Sequence, residues 1–350
     1  MTRQVFAGSV AIGGGAPVSV QSMTNTDTRD VVATSAQIRA LADAGADIVR
    51  VSVYDEACAQ AVRALVDRSP VPLVADIHFD VNLAIRSVEN GIAKVRINPG
   101  NIGGEKNVRL LADCLKAHRV PVRIGVNSGS IEKELLKKYG GVTPQCMVES
   151  GLNHARMLER AGYDDIVLSY KATDVQTMVA ACRLVAKQSD YPQHIGVTES
   201  GTADVGLVKS AIGIGALLLD GIGDTVRVSL SGDPVQEVPA ALSILRAIGV
   251  RRDCIEIISC PTCGRTCIPV EDIARRVRAE TMDIHVPLKV AVMGCVVNGP
   301  GEAREADLGI AGGKDGGALF VRGEAPRAVR GDLAEILIRA IREMAEARSK

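Results

Sequence analysis

The chain has 350 residues, with 41 basic and 41 acidic side chains and no tryptophan. That length predicts about two domains, and the charge balance, repeated in residues 251–350 as sixteen basic against fifteen acidic side chains, excludes a basic nucleic-acid surface in either half. Met1 to Phe6 hold no signal core, no stretch approaches the roughly 18 apolar residues of a membrane span, and the nine cysteines are odd in number and scattered, so a soluble cytoplasmic chain with reduced thiols is expected.

Short β-branched runs recur through the first two thirds, at Val18–Val20, Asp47–Val53, Pro72–Ile77, Lys94–Asn98, Pro121–Asn127, Asp165–Tyr170, His194–Thr198 and Thr225–Leu230. Helical patterns that end near glycine separate them, such as Ser35 to Gly45. Eight alternations of strand and helix predict a (β/α)8 TIM-type barrel over residues 1–248, with an open doubly wound sheet as the alternative. Polar residues cluster at the carboxyl ends of these strands. Arg50 and Ser52, Asp76 and His78, Arg96 and Asn98, and Ser169 and Lys171 are spaced by two, which puts each pair on one face. Arg123 shares a face with Asn127, and Arg227 with Ser229, while Glu199 ends a further strand. Charge inside packed barrel layers is costly, but at the top rim it lines the place where barrel enzymes hold their active sites.

Asp233-Pro234 starts a helix reaching about Ala247, and Gly249–Asp253 reads as a linker. Residues 249–350 then predict a small α+β domain. Its elements are a strand at Cys254–Ser259, a cysteine turn, a helix at Val270–Ala279, a strand at Lys289–Met293, a hairpin over Asp307–Arg322 and a helix at Asp332–Ala347. The turn Cys260-Pro261-Thr262-Cys263 offers two thiolates to one metal, and Cys295 follows an apolar strand able to supply a third. A zinc ribbon wants a second Cys-x-x-Cys or a histidine pair, so an iron–sulfur site is the preferred reading and structural zinc the alternative. Glu302 follows the turn Asn298–Gly301 and would be a weak, exchangeable oxygen ligand, with Cys267 and Cys254 as rivals for the fourth position.

Arg50, Arg96, Arg123 and Lys171 come from four strands, and on a closed barrel they form a cationic set suited to a small anion with several phosphate oxygens. Asp76, His78 and Glu199 are then the candidates for proton transfer at the same mouth.

Four blocks carry a resemblance to a known family: Pro17 to Thr26, Arg96 to Gly103, Gly221 to Leu230 and the two cysteine segments. Nearly end to end, the chain resembles the 4-hydroxy-3-methylbut-2-enyl diphosphate synthases in their bacterial two-domain form. The resemblance implies reductive dehydration and ring opening of 2-C-methyl-D-erythritol 2,4-cyclodiphosphate in the non-mevalonate isoprenoid pathway, with a flavodoxin or ferredoxin as electron donor. It implies a 4Fe-4S cluster on Cys260, Cys263, Cys295 and Glu302, and diphosphate-binding cations at Arg50, Arg96, Arg123 and Lys171. It places Asp76, His78, Asn98, Asn127, Ser169, Glu199, Arg227 and Ser229 around the mouth. Cys267 is an extra thiol outside that ligand set. A head-to-tail homodimer is also expected. A linker of about five residues spans at most roughly 18 Å, while the preceding helix leaves the chain at the face of the barrel away from the mouth.

Overall fold

A computed structural model describes residues 1–97, 101–295 and 305–349; Asn98 and Glu302 therefore lie outside the described residues. The chain divides into two compact units, Met1–Arg251 and Arg252–Lys350.

The first unit opens with a hairpin, β1 Gln4–Ala7 and β2 Val10–Gly13. Its two-residue turn is allowed by Gly8, whose φ of 59° a side chain would resist. Eight strands follow: β3 Ser19–Met23, β4 Ile48–Ser52, β5 Leu73–Ile77, β6 Lys94–Ile97, β7 Val122–Asn127, β8 Ile166–Lys171, β9 His194–Ile195 and β10 Thr225–Val226. All pair in parallel in the order β8-β7-β6-β5-β4-β3-β10-β9, and a bridge between Leu168 and Gln193 joins the two ends. This near-closed ring excludes the open sheet. Helices cover its outside, many capped by an aspartate that accepts the orphan N–H groups, as Asp30, Asp55, Asp80 and Asp174 do.

Strand parity sorts the side chains. Val49, Val51, Ala75, Val95, Ile97, Val122 and Ile124 face the helices in the main core. Ile48, Val74 and Val167 point inward and pack on Val5, Ala7 and Ile12 of the hairpin, which forms an apolar floor to the barrel. The hairpin is not evident from sequence because its apolar alternation lasts only a few residues. Above Ile48, Val74 and Val167 the next inward positions, Arg50, Asp76 and Ser169, are polar.

Two strands are shorter than their apolar runs predict. Arg227 N still donates to Ile195 O at 3.1 Å, but Leu230 N turns to the Glu237 carboxylate at 3.1 Å instead of a neighbouring strand. Glu199, Arg227 and Ser229 therefore sit on the loops that leave the strands, not on the strands themselves.

The second unit holds a five-stranded sheet in the order β11-β12-β13-β14-β15, formed by Ile255–Ser259, Leu288–Met293, Leu308–Gly313, Gly316–Val321 and Arg327–Val329. The first three strands are parallel and the last two antiparallel. Helix Val270–Glu280 and the C-terminal helix Leu333–Ser349 bury Ile273, Val277, Leu337 and Ile341 against Val290, Val292 and Ile310 on one face. On the other face Ala291, Met293 and Ala311 form a second, smaller apolar cluster. The short β15 is an addition to the expected elements.

Candidate functional site

Asp76, 3% exposed, is the hub of the barrel mouth. The register sets it level with Ser52 on β4 and Arg96 on β6. Arg96 Nη1 donates to Asp76 Oδ1 at 2.9 Å, Arg50 Nε stands 3.9 Å from Oδ2, and His78 Nε2 lies 3.2 Å from Oδ2. Burial pushes the Asp76 carboxyl up, but Arg50, the His78 hydrogen bond and Arg96 outweigh it and hold the group well below the usual carboxylate range. Arg96 also needs the absence of a side chain opposite. A Cβ on Gly125 would lie 2.6 Å from Arg96 Nε, so only glycine on β7 lets the guanidinium cross there.

A second anchor comes from the helix after the barrel, Glu237–Ala247. Buried Glu237 accepts from Arg227 Nε at 3.2 Å, from Ser22 Oγ at 3.0 Å and from Leu230 N. It aims Arg227 at the mouth, while Arg50 donates to Met23 Sδ at 2.8 Å. Glu237 has no strand signature to mark it in the sequence.

The remaining cations have no such anchors. Arg123 is 1% exposed, and its Nε and Nη1 have no hydrogen-bond partner. Arg96 is level with it on the neighbouring strand. Lys171 is buried level with Asn127, and its Nζ lies 3.0 Å from the point a Gly196 Cβ would occupy. Burial first, then Arg227 and Arg123, bring the Lys171 ammonium well below its ordinary range. Burial likewise pulls Arg50 down to about 10 against the opposing pull of Asp76. A guanidinium remains charged at that value, so the cost is carried as electrostatic strain in the site.

Ser169 is buried opposite Gly125, and Asn127 and Ser229 are partly exposed near the rim. Glu199 is exposed, accepts from Thr173 Oγ1 at 3.1 Å and has a φ of 50°, a left-handed backbone uncommon outside glycine. Two groups not marked by the carboxyl-end pairs lie lower in the barrel. Lys94 and His194 are both fully buried. For Lys94 the signal was present, since it precedes Arg96 and Asn98 at the same spacing of two.

The second unit brings its thiols to one end of its sheet. Cys260 follows β11 and Cys295 follows β12, and those strands run parallel with Ser259 level with Val292. Gly294 N donates to Cys260 Sγ at 3.1 Å, Cys267 N donates to Gly294 O at 2.8 Å, and Thr266 Oγ1 accepts from Cys263 N at 3.1 Å. Backbone N–H donation from Arg265 leads the effects that lower the Cys263 thiol from its ordinary range. An N–H already aimed at Cys260 sulfur and a Cys263 biased to thiolate fit a soft metal or cluster. Among the described residues no three His, Cys, Asp or Glu side chains converge within reach of a single ion. Cys254 precedes β11, so the strand separates it from Cys260 by about 20 Å and removes it as a rival ligand.

An eight-stranded parallel barrel with a polar, cation-rich mouth, in a chain whose second unit carries cysteines at one end of its sheet, defines a TIM-type α/β barrel protein. Residues 2–242 match the family model described as GcpE TIM-barrel domain, and residues 256–344 match the GcpE protein C-terminal domain. The chain is 53% identical over 345 residues to 4-hydroxy-3-methylbut-2-en-1-yl diphosphate synthase (flavodoxin) of Caldanaerobacter subterraneus subsp. tengcongensis, covering 98% of this chain and 97% of the relative. It is 54% identical over 344 residues to the protein of the same name from Geobacter sulfurreducens, covering 98% of each. The chain belongs to the GcpE family of 4-hydroxy-3-methylbut-2-en-1-yl diphosphate synthases and is an enzyme. The solved structure of Yersinia pestis dihydropteroate synthase aligns with a TM-score of 0.50 at 12% identity, covering 71% of this chain and 99% of that one, a likeness of fold alone. No helix among the described residues is long and apolar enough to cross a membrane.

Proposed function

We propose that this enzyme opens and reduces 2-C-methyl-D-erythritol 2,4-cyclodiphosphate to 4-hydroxy-3-methylbut-2-enyl diphosphate in the cytoplasm. Two electrons and two protons enter and one water leaves. The observation that carries the reading is the charge imbalance of the mouth. Arg50, Arg96, Arg123, Lys171 and Arg227 meet only Asp76 and Glu237 among the buried acids of the first unit. A ligand bearing two phosphoryl groups supplies the missing negative charge.

Arg123 and Lys171, the cations without carboxylate anchors, grip the phosphoryl oxygens, and Arg50 and Arg96 complete the set. Asp76 fixes the last two and stays ionised, so proton delivery falls to the more exposed His78 and Glu199. Asn127, Ser169 and Ser229, with Asn98, orient the carbon skeleton. Arg227, steadied by Glu237, lines the mouth from the loop after the last strand.

Cys260, Cys263, Cys295 and Glu302 are the residues that would hold a 4Fe-4S cluster. When bound it supplies single electrons at low potential and, through exchange of the glutamate, a Lewis-acidic iron. The family name of the relatives points to flavodoxin as donor, with ferredoxin as the alternative. Two copies would pair head to tail, each cysteine unit serving the partner's barrel, so specific activity should fall on dilution below the dimer dissociation constant.

The test is anaerobic reconstitution followed by turnover of the cyclic diphosphate with a strong one-electron reductant. Iron with acid-labile sulfide and release of the open diphosphate are expected; one zinc, no sulfide and no turnover would overturn the proposal. Parallel Glu302→Ala and Cys267→Ala variants assign the fourth ligand. Iron content and visible spectrum should change in the first and persist in the second.

A further inference from the structure

Below the mouth cations lies an ionisable group that the proposed chemistry does not use. Lys94 begins β6, two residues before Arg96 and level with Val74 of the apolar floor, so its ammonium group points into the barrel. It is fully buried, and Nζ has no hydrogen-bond partner. The charges acting on it are Arg123 and Arg50, both of which oppose its protonation together with burial; no carboxylate offsets them. From the surrounding strands the charged and titratable groups are Arg50 on β4, Asp76 on β5, Arg123 on β7, Lys171 on β8, His194 on β9 and Arg227 after β10. Asp76 is already committed to Arg96, Arg50 and His78. Neither ring nitrogen of buried His194 is hydrogen-bonded, and burial first, then Arg123 and Lys171, hold it well below the ordinary imidazole range. A buried ammonium with no counter-charge and cationic neighbours is far costlier than the neutral amine.

We propose that Lys94 is uncharged in the ligand-free enzyme and takes up a proton from solvent when a diphosphate-class anion occupies the cations above it. It thereby acts as a positioning residue whose charge appears only with the ligand. The inference rests on the anion reading of the mouth. An anion on Arg50 and Arg123 cancels the two like charges that Lys94 faces, so the ammonium becomes tolerable, and its charge in turn adds to the hold on that anion. No bond is made or broken beyond N–H, and the proton comes from bulk water.

The experiment titrates full-length, reconstituted enzyme with inorganic pyrophosphate by calorimetry, in buffers of different ionisation enthalpy, for wild type, Lys94→Met and His194→Gln. Wild type and His194→Gln should take up about one proton more per bound pyrophosphate than Lys94→Met, and on the alkaline side their affinity should fall by up to about tenfold more per pH unit than that of Lys94→Met. The free pyrophosphate contributes equally to all three and cancels. Equal uptake in wild type and Lys94→Met, or loss of the uptake in His194→Gln, overturns the role of Lys94. Absence of pyrophosphate binding to wild type overturns the anion reading itself. Should Lys94→Met not fold by circular dichroism, Lys94→Gln replaces it, and a wild type with no net uptake after correction for pyrophosphate is already decisive.

Discussion

The barrel mouth and the cysteine end of the second unit solve the same problem, gathering like groups at the ends of parallel strands, by opposite means. In the barrel, the cations are set by the hydrogen-bond register, and the two buried carboxylates Asp76 and Glu237 fix some of them while Arg123 and Lys171 stay unanchored. In the second unit, the backbone brings Cys260, Cys263 and Cys295 to one sheet end and aims an N–H at one sulfur, but loops finish the arrangement. A rigid ladder can hold repelling charges together because the whole core must yield before they part. Loops impose no such constraint, and among the described residues the thiols stand near one sheet end without converging on a single ion.

That contrast can be broken in order of effect. Cys260→Ser should abolish reconstituted iron and sulfide and reduce turnover beyond detection, while the thermal unfolding of the barrel unit stays in place. Metal analysis and a calorimetric scan check both halves.

Asp76→Asn should destabilise the fold by about 3–5 kcal/mol, since it strands Arg96 and Arg50 in the barrel. The sign with pH follows from the depressed carboxyl. Its contribution is present above the unfolded value of about 4 and is lost as pH falls below it, toward the lower folded value. Denaturant unfolding of wild type should therefore show a steeper acid limb than that of Asp76→Asn.

Arg123→Met separates stability from function. It should cost about 10- to 100-fold in pyrophosphate affinity, the loss of a charge-assisted bond, yet raise the stability of the ligand-free protein by about 1–3 kcal/mol because a buried cation with unpaired N–H groups is replaced by an apolar chain. Destabilisation instead would show that Arg123 is anchored in a way its geometry does not display. The smallest effect belongs to Gly125→Ala. Its methyl would displace Arg96 from Asp76, weakening pyrophosphate binding by about tenfold with the helical signal intact.

Most of the barrel was legible along the chain because its strands are β-branched runs and its inward residues recur every second position. Arg50, Asp76, Arg96 and Lys171 announced themselves as charges at strand ends where a packed layer would reject them. His194 did not, and Lys94 did so only by its spacing from Arg96, because a polar residue at the start of a strand usually faces solvent and only closure of the ring with the hairpin floor beneath it makes those positions interior. Glu237 was hidden for another reason: its partners Ser22 and Arg227 are reached across the barrel wall from a helix, by a contact that no local spacing encodes.

The sequence by itself determined which side chains share a face, since alternation is a property of each strand alone. The tertiary structure decided which of those charges are compensated and which are left open for a ligand. That depends on register and ring closure, which bring together residues far apart in the chain and whose energies exist only once water has been excluded between them.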